Sequence, residues 1–366
     1  MKILHINSNY DRTTLHQAMM DRLDLLTENR VFVPTHDKTC GVLTVGENVL
    51  VKECFRKWDR YCFAYKQRKI KKAAMGSYSV EDFDLIHAYT LFTDGNVAYK
   101  LHKKFGIPYA VAVRNTDVNA FFKFRPHLRG RGVKILRNAA AVFFLSESYR
   151  EQVFSAYIPE EYHQEILGKT HIIPNGIDER WFNCGQAHSA PRGKELRLVF
   201  AGRIDRNKNI LTSAKACELL CEEGYDASLT VIGRVADEAL ATEIDSFSCV
   251  KRLPPMSMEE LAEIYKAMDM FLMPSIYESF GLVYAEAMSQ GLPVLYTAGQ
   301  GFDGQFPPGT VGYPVPCNSP EEICKAVKAV LQDYETMSLR CITESHRFRW
   351  QDMVRTYVRI YKECLK

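Results

Sequence analysis

Short runs of apolar and β-branched residues recur along the chain, with stretches of helical spacing between them. Residues 2–6, 85–88, 109–113, 141–145 and 171–173 read as strands, and the intervals between them are long enough for crossover helices. A polar stretch containing glycine and proline, residues 183–194, interrupts this rhythm and reads as a linker and hinge. The rhythm then restarts. Residues 196–201, 227–232, 270–273, 293–296 and 312–314 read as strands, and residues 211–223, 258–267, 281–289 and 320–333 as helices. The pattern predicts an α/β chain of two Rossmann-like, doubly wound parallel-sheet domains, residues 1–182 and 190–349. Ligands of such sheets sit beyond the carboxyl ends of the strands, so a cleft between two facing domains is expected. The amphipathic segment 350–365 has no strand after it, and a helix at 350–366 is expected to pack back on the first domain.

Composition narrows the picture. With 366 residues, two domains of ordinary size are expected, and 46% hydrophobic with 25% charged residues excludes disordered and fibrous classes. No stretch approaches the roughly 18 uninterrupted apolar residues of a membrane span. The first ten residues lack the pattern of a secretory leader, so a cytoplasmic location is expected. The eleven cysteines are scattered without CxxC spacing, which predicts reduced thiols and neither a zinc site nor a disulfide framework. Charge is asymmetric: through Arg180 there are 27 basic and 20 acidic residues, and beyond it 20 and 24.

The strongest local pattern runs from Met273 through Pro274, Glu278, Ser279, Phe280, Gly281, Leu282, Val283 and Glu286 to Met288. An apolar strand ends at Pro274, a polar loop follows, and a helix begins near Gly281. Unpaired amides and the positive dipole end at that helix start suit a diphosphate. The two glutamates, at different depths, can hold two sets of hydroxyls, although capping or dipole complementation is the ordinary role of a lone glutamate there. A second run, from Phe200 through Gly202, Arg203, Asp205 and Lys208 to Asn209, follows the first strand of the second domain. Gly202 lets backbone approach a ligand, and Arg203 and Lys208 supply two positive charges.

The first run resembles the signature of the retaining glycosyltransferases of family 4, which have the GT-B fold and two glutamates separated by seven residues. The resemblance implies that Glu278 contacts the donor sugar, that Glu286 binds the ribose hydroxyls, and that the backbone of Ser279, Phe280, Gly281, Leu282 and Val283 lies along the diphosphate and sugar. The second run looks like the same family's Gly-Arg and Lys pair, which implies donor-side roles for Gly202, Arg203, Lys208 and Asn209. Preorganised cations there would stabilise the negative charge that grows on a departing nucleoside diphosphate. Residues 173–178 resemble the family's turn before the linker, Thr230-Val231-Ile232-Gly233 its next strand end, and Leu253-Pro254-Pro255-Met256 the loop that meets the base. Gly233 and Leu253 are thereby placed on the nucleotide.

The chain departs from that family in two places. Where many relatives carry a histidine, this chain has Arg114, in Arg114-Asn115-Thr116-Asp117-Val118. Its guanidinium stays charged and cannot act as a base. It can bind a donor phosphate or an anionic acceptor group, or pair with Asp117, which is the nearest carboxylate for an acceptor-side base. In place of a Gly-Gly loop after the first strand stands the stretch 7–13, so acceptor binding is expected to differ. His16 and His87 fall near the expected cleft edge and are given no role.

The resulting expectation is transfer of a sugar from a UDP- or GDP-sugar donor to a saccharide or lipid-linked saccharide acceptor in surface polysaccharide assembly. No metal is called for, because no DxD-type pair ends a strand of the first sheet, and no cofactor is called for. A nucleotide-sugar epimerase of the same architecture and a non-catalytic partner protein are the competing readings. The lack of a GxGxxG after any early strand speaks against a dinucleotide oxidoreductase. The near-balanced charge and absence of a recognition module speak against nucleic acid. Two basic stretches with aromatics, 55–72 and 121–137, suit either peripheral contact with an anionic membrane or a solvated helix face.

Overall fold

The computed structural model describes residues 1–10, 14–36, 46–183 and 185–366. Residues 11–13 of the loop after the first strand, the Arg60 side chain, Cys40 and Cys184 lie outside the described residues. The chain separates into two compact units: residues 1–145, 149–175 and 350–366 form one, and residues 146–148 and 176–349 the other.

The first unit contains β1 (Lys2–Ile6), α1 (Thr14–Leu23), β2 (Glu28–Thr35), β3 (Val49–Glu53), α2 (Phe63–Met75), β4 (Leu85–Ala88), α3 (Asp94–Phe105), β5 (Tyr109–Ala112), α4 (Pro126–Asn138), β6 (Ala141–Phe144), α5 (Glu147–Tyr157), α6 (His163–Leu167) and β7 (Thr170–Ile172). Its seven strands are ordered β3-β2-β1-β4-β5-β6-β7, and every pairing is parallel. Parallel sheets are covered on both faces, and the side chains of β1 record this. Leu4 and Ile6 enter a core with Phe32, Ile86 and Val111, while Ile3 enters another with Val31, Leu85 and Ala110.

The second core is closed by α13 (Trp350–Glu363). Its buried Trp350, Met353, Val354, Tyr357, Val358 and Tyr361 recur at helical spacing and share that core with Met19, Met20 and Leu23 of α1. His87 was expected near a ligand edge, but it is fully buried in this core. It is stacked on Tyr89 and accepts or donates to the Tyr361 hydroxyl at 2.5 Å.

The second unit contains β8 (Glu195–Ala201), α7 (Ile210–Glu222), β9 (Asp226–Ile232), α8 (Glu238–Asp245), β10 (Val250–Leu253), α9 (Met258–Lys266), β11 (Met270–Met273), α10 (Leu282–Ser289), β12 (Val294–Thr297), β13 (Gly312–Val315), α11 (Pro320–Gln332) and α12 (Tyr334–Ser345). Six parallel strands are ordered β10-β9-β8-β11-β12-β13. The stretch 183–194, read from composition as a hinge, lies inside this unit, and the division between units falls at Asn175/Gly176. Its described residues form no helix or strand, yet His188 fastens it. The His188 amide donates to Ser338 Oγ at 2.8 Å, and its ring nitrogens lie 3.1 and 2.9 Å from the carbonyl oxygens of Met268 and Gln290. A polar composition signals missing regular structure, and these tertiary hydrogen bonds decide whether such a stretch moves.

Candidate functional site

Because the second sheet is parallel, the carboxyl ends of its strands lie along one edge, and the candidate residues follow the strand order. Leu253 ends β10, Gly233 follows β9, Gly202 follows β8, and Glu278 follows β11. The first three are joined by backbone. The Gly202 amide donates to the Ile232 carbonyl at 2.9 Å, and the Gly233 amide to the Leu253 carbonyl at 3.2 Å. Four segments remote in sequence thus present their ends side by side, as open parallel sheets do at their ligand edges.

Two loops carry the charged groups. After β8, Asp205 caps a single 3-10 turn by accepting from the Lys208 amide at 3.1 Å and holds the exposed Arg203 through its other oxygen, 2.5 Å from Arg203 Nε. Asn209 then takes a left-handed conformation at φ 55°, which starts α7 and turns its side chain to the carbonyls of Pro274 and Cys317. After β11, Asn207 stitches this loop to the next. Its side-chain amide donates to the Tyr277 carbonyl at 2.9 Å, its side-chain oxygen accepts from the Tyr277 amide at 3.1 Å, and its carbonyl accepts from the Ile276 amide at 2.8 Å.

The stitching brings Lys208 Nζ to 2.6 Å from Glu278 Oε2, with both side chains largely buried. Glu278 is oriented further by its own Oε1, which accepts from the Ser279 amide at 3.0 Å, and by its backbone amide, which donates to the Gln300 side chain at 3.0 Å. The chain then reaches Gly281, whose left-handed φ of 76° sets the start of α10. A Cβ there would come within 2.4 Å of the Tyr284 ring, so only glycine allows this entry. The first amides of α10, from Leu282 and Val283, have no acceptor within the helix and lie at its positive dipole end. Phe280 is buried, with its ring against Phe302 and Phe348.

Glu286 lies a turn into α10, and its carboxylate has no hydrogen-bond partner among the described residues. Burial, helped by the Asp178 charge, pushes its pKa up to about 7. In the first unit burial likewise pushes Asp94 up to about 7 and Asp117 up to about 6. A carboxyl whose folded pKa is raised stays protonated longer in the folded than in the unfolded chain. Its contribution to stability is therefore fully present below the usual carboxylate range and is lost as pH rises toward 7. We expect Glu286→Gln to melt with the parent near pH 4 and above it near pH 8. An offset independent of pH in thermal melts would show that Glu286 ionises normally.

In the first unit, Arg114 and Asp117 sit together in one turn, but their pairing runs through the backbone. Asp117 is buried, and its oxygens accept from the amides of Leu91, Phe92 and Arg114 at 2.9, 3.0 and 2.9 Å. Three backbone donors make this carboxylate a tie between the turns after β4 and β5, a geometry that does not support its reading as a base. Arg114 lies beside Tyr357 of α13, and its charge, after burial, holds His16 down at about 3. Sequence reasoning missed Asn207 and Gln300, whose roles depend on partners 70 and 22 positions away. It also missed Asp94, which accepts from Ser8 and Thr90. Asp94 at the start of a helix was the one local signal.

Residues 186–347 match the family model Glycosyl transferases group 1. The chain is 24% identical over 306 residues to a D-inositol 3-phosphate glycosyltransferase of Paenarthrobacter aurescens (strain TC1), covering 77% of this chain and 73% of the relative. Its fold is similar to that of a sucrose-phosphate synthase from Thermosynechococcus elongatus, with TM-score 0.76 and 19% identity over 99% of this chain and 98% of the other. It is also similar to Alr3699/HepE of Anabaena, solved in complex with UDP-glucose, with TM-score 0.65 and 17% identity over 99% and 100% of the two chains. The match over residues 186–347 and the glycosyltransferase relatives identify a glycosyltransferase enzyme, and its two parallel α/β sheets have the GT-B fold.

Proposed function

We propose that this glycosyltransferase takes its sugar from a UDP- or GDP-sugar, with retention of configuration, and passes it to a saccharide or lipid-linked saccharide in surface polysaccharide assembly. The observation that carries the donor reading is the ion pair between Lys208 and Glu278 beside the start of α10. In this reading residues 190–349 bind the donor. The α10 amides, Arg203 and Lys208 receive the charge that develops on the diphosphate, Glu278 holds the sugar, and Glu286 holds the ribose, with Gly202, Gly233 and Leu253 lining the nucleotide. The departing phosphate takes the acceptor proton on the same face, which asks for no separate base. The Anabaena protein of similar fold was solved with UDP-glucose, which supports a uridine donor.

In the same reading residues 1–182 bind the acceptor. A cavity of about 290 Å³ in the first unit is lined by Ser8, Thr90 and Asp117 together with His36, Lys57 and Lys66. Its cationic residues favour a second acceptor class, a phosphorylated polyol, and the Paenarthrobacter relative is named for D-inositol 3-phosphate. Radiolabelled transfer from UDP- and GDP-sugars to neutral, lipid-linked and phosphorylated acceptors tests both. Donor turnover without any acceptor, giving an isomerised nucleotide sugar, would replace transfer by epimerisation.

No helix among the described residues is long and apolar enough to cross a membrane. Contact with an anionic bilayer surface is proposed for the region of α2, where the aromatic side chains of Trp58, Tyr61 and Tyr65 are exposed next to Lys57, Arg68, Lys71 and Lys72. Co-sedimentation with phosphatidylserine vesicles is expected at low salt and lost at high salt. No binding at low salt removes the proposal.

A further inference from the structure

The cysteines, scattered in sequence, are not all scattered in space. Helix α7 carries Cys217 and Cys221 four residues apart, on one face. The helix packs on β9, and β10 pairs with β9 in register from Val250 opposite Leu229. That pairing brings Cys249, the residue before β10, beneath the last turns of α7. The three Sγ atoms lie within 4.8 Å of one another.

Their exposure is graded: Cys217 is buried, Cys249 intermediate and Cys221 exposed, and all three are free thiols. Thiols that merely fill a core are buried as small hydrophobes, with no reason to converge at its rim. Sulfurs bound to one zinc ion at about 2.3 Å stand about 3.8 to 4.0 Å apart. Closing from the observed spacing takes less than about 1 Å, within reach of side-chain rotation. Cys221, the most exposed of the three residues, lies on the side from which an ion and a fourth, water ligand would enter.

We propose that Cys217, Cys221 and Cys249 form a three-thiolate site for a soft divalent cation of the zinc group. The ligand set contains only sulfur, which selects zinc or cadmium over magnesium or calcium. Binding releases the thiol protons and clamps the carboxyl end of α7 to β10, an edge strand with no partner on its outer side among the described residues. The site is separate from the proposed donor loops. Cys217 follows Lys208 by nine residues, about 13 Å along a helix. The inference is therefore independent of the proposed sugar chemistry.

The test uses the full chain, reduced and freed of metal, titrated with cadmium chloride and separately with zinc chloride. One ion per chain is expected, with the ultraviolet charge-transfer band of cadmium thiolate and a rise in melting temperature. Cys221→Ser, at an exposed position that leaves the fold alone, and Cys249→Ser are each expected to weaken binding by more than about tenfold. Cys62→Ser, on the first unit, is expected to leave it unchanged. Undiminished binding in Cys221→Ser, no charge-transfer band in the parent, or a disulfide between two of the three cysteines in the protein as purified would each overturn the site.

Discussion

Replacing Lys208 with alanine is expected to lower the rate of sugar transfer by roughly a hundred- to a thousandfold while the chain stays folded, the loss of about 3 to 4 kcal/mol typical of one preorganised donor to a developing negative charge. The structural cost is smaller. Lys208 contributes one charge-assisted hydrogen bond, to Glu278 at 2.6 Å, and losing such a bond costs about 1.5 to 3 kcal/mol. The Glu278 carboxylate also keeps its bond from the Ser279 amide. A melting temperature a few degrees below the parent, together with nearly abolished turnover, is the expected pair of readings.

A companion variant separates charge from scaffolding. In Glu278→Gln the side-chain oxygen still accepts from Lys208, so stability stays close to the parent while the sugar loses its carboxylate. If the pair only fastens two loops, Lys208→Ala will lose stability and Glu278→Gln will transfer normally. Near-normal turnover in Lys208→Ala would remove this lysine from the donor site altogether.

The parts of the molecule that could be read from sequence are those whose signal is local. Central strands are buried on both faces and appear as apolar runs, unbroken in β5 and β11 and interrupted only by single polar residues within β1, β4 and β8. The strands missed by pattern lie toward sheet edges. β10 has the sequence VKRL, β3 has VLVKE, and β2 carries Asn29, Arg30 and Pro34; half-exposed edges accept charge, and charge hides a strand. Helices α8 and α12 were passed over for a related reason, because polar residues on their outer faces break up a short helical period. The same distinction holds at the site. Glu278, Gly281 and Glu286 stand in one continuous run, so their order was visible. The contact between Lys208 and Glu278, the stitching by Asn207 and the meeting of Cys217, Cys221 and Cys249 arise when β8, β9, β10 and β11 align in a sheet. Asp117 marks the opposite case. Its position suggested a base, and only the three amides around it reveal a tie.

Gly233→Ala is expected to abolish nucleotide binding and to lower stability more than any other single methyl added near the donor edge. A Cβ on Gly233 would stand 1.7 Å from the carbonyl oxygen of Gly202 and 2.7 Å from its carbonyl carbon, both backbone atoms with no rotamer by which to yield. Ordinary contact needs about twice the shorter of these distances, so one strand end must move by more than an ångström. That movement is resisted on both sides, because Gly202 is bonded to Ile232 and Gly233 to Leu253. Overpacking a tight site costs about 1 to 3 kcal/mol. Here the strain falls on the loop that carries Arg203 and Lys208. A melting curve displaced downward, and no further shift on adding UDP or GDP, is the expected outcome. Gly130→Ala supplies the control, since Gly130 lies in α4 with open space where its Cβ would stand, and alanine is the better helix former by up to about 1 kcal/mol. If Gly233→Ala melted like the Gly130→Ala protein and still gained stability from nucleotide, the close backbone approach at the ends of β8 and β9 would have no part in shaping the donor loops.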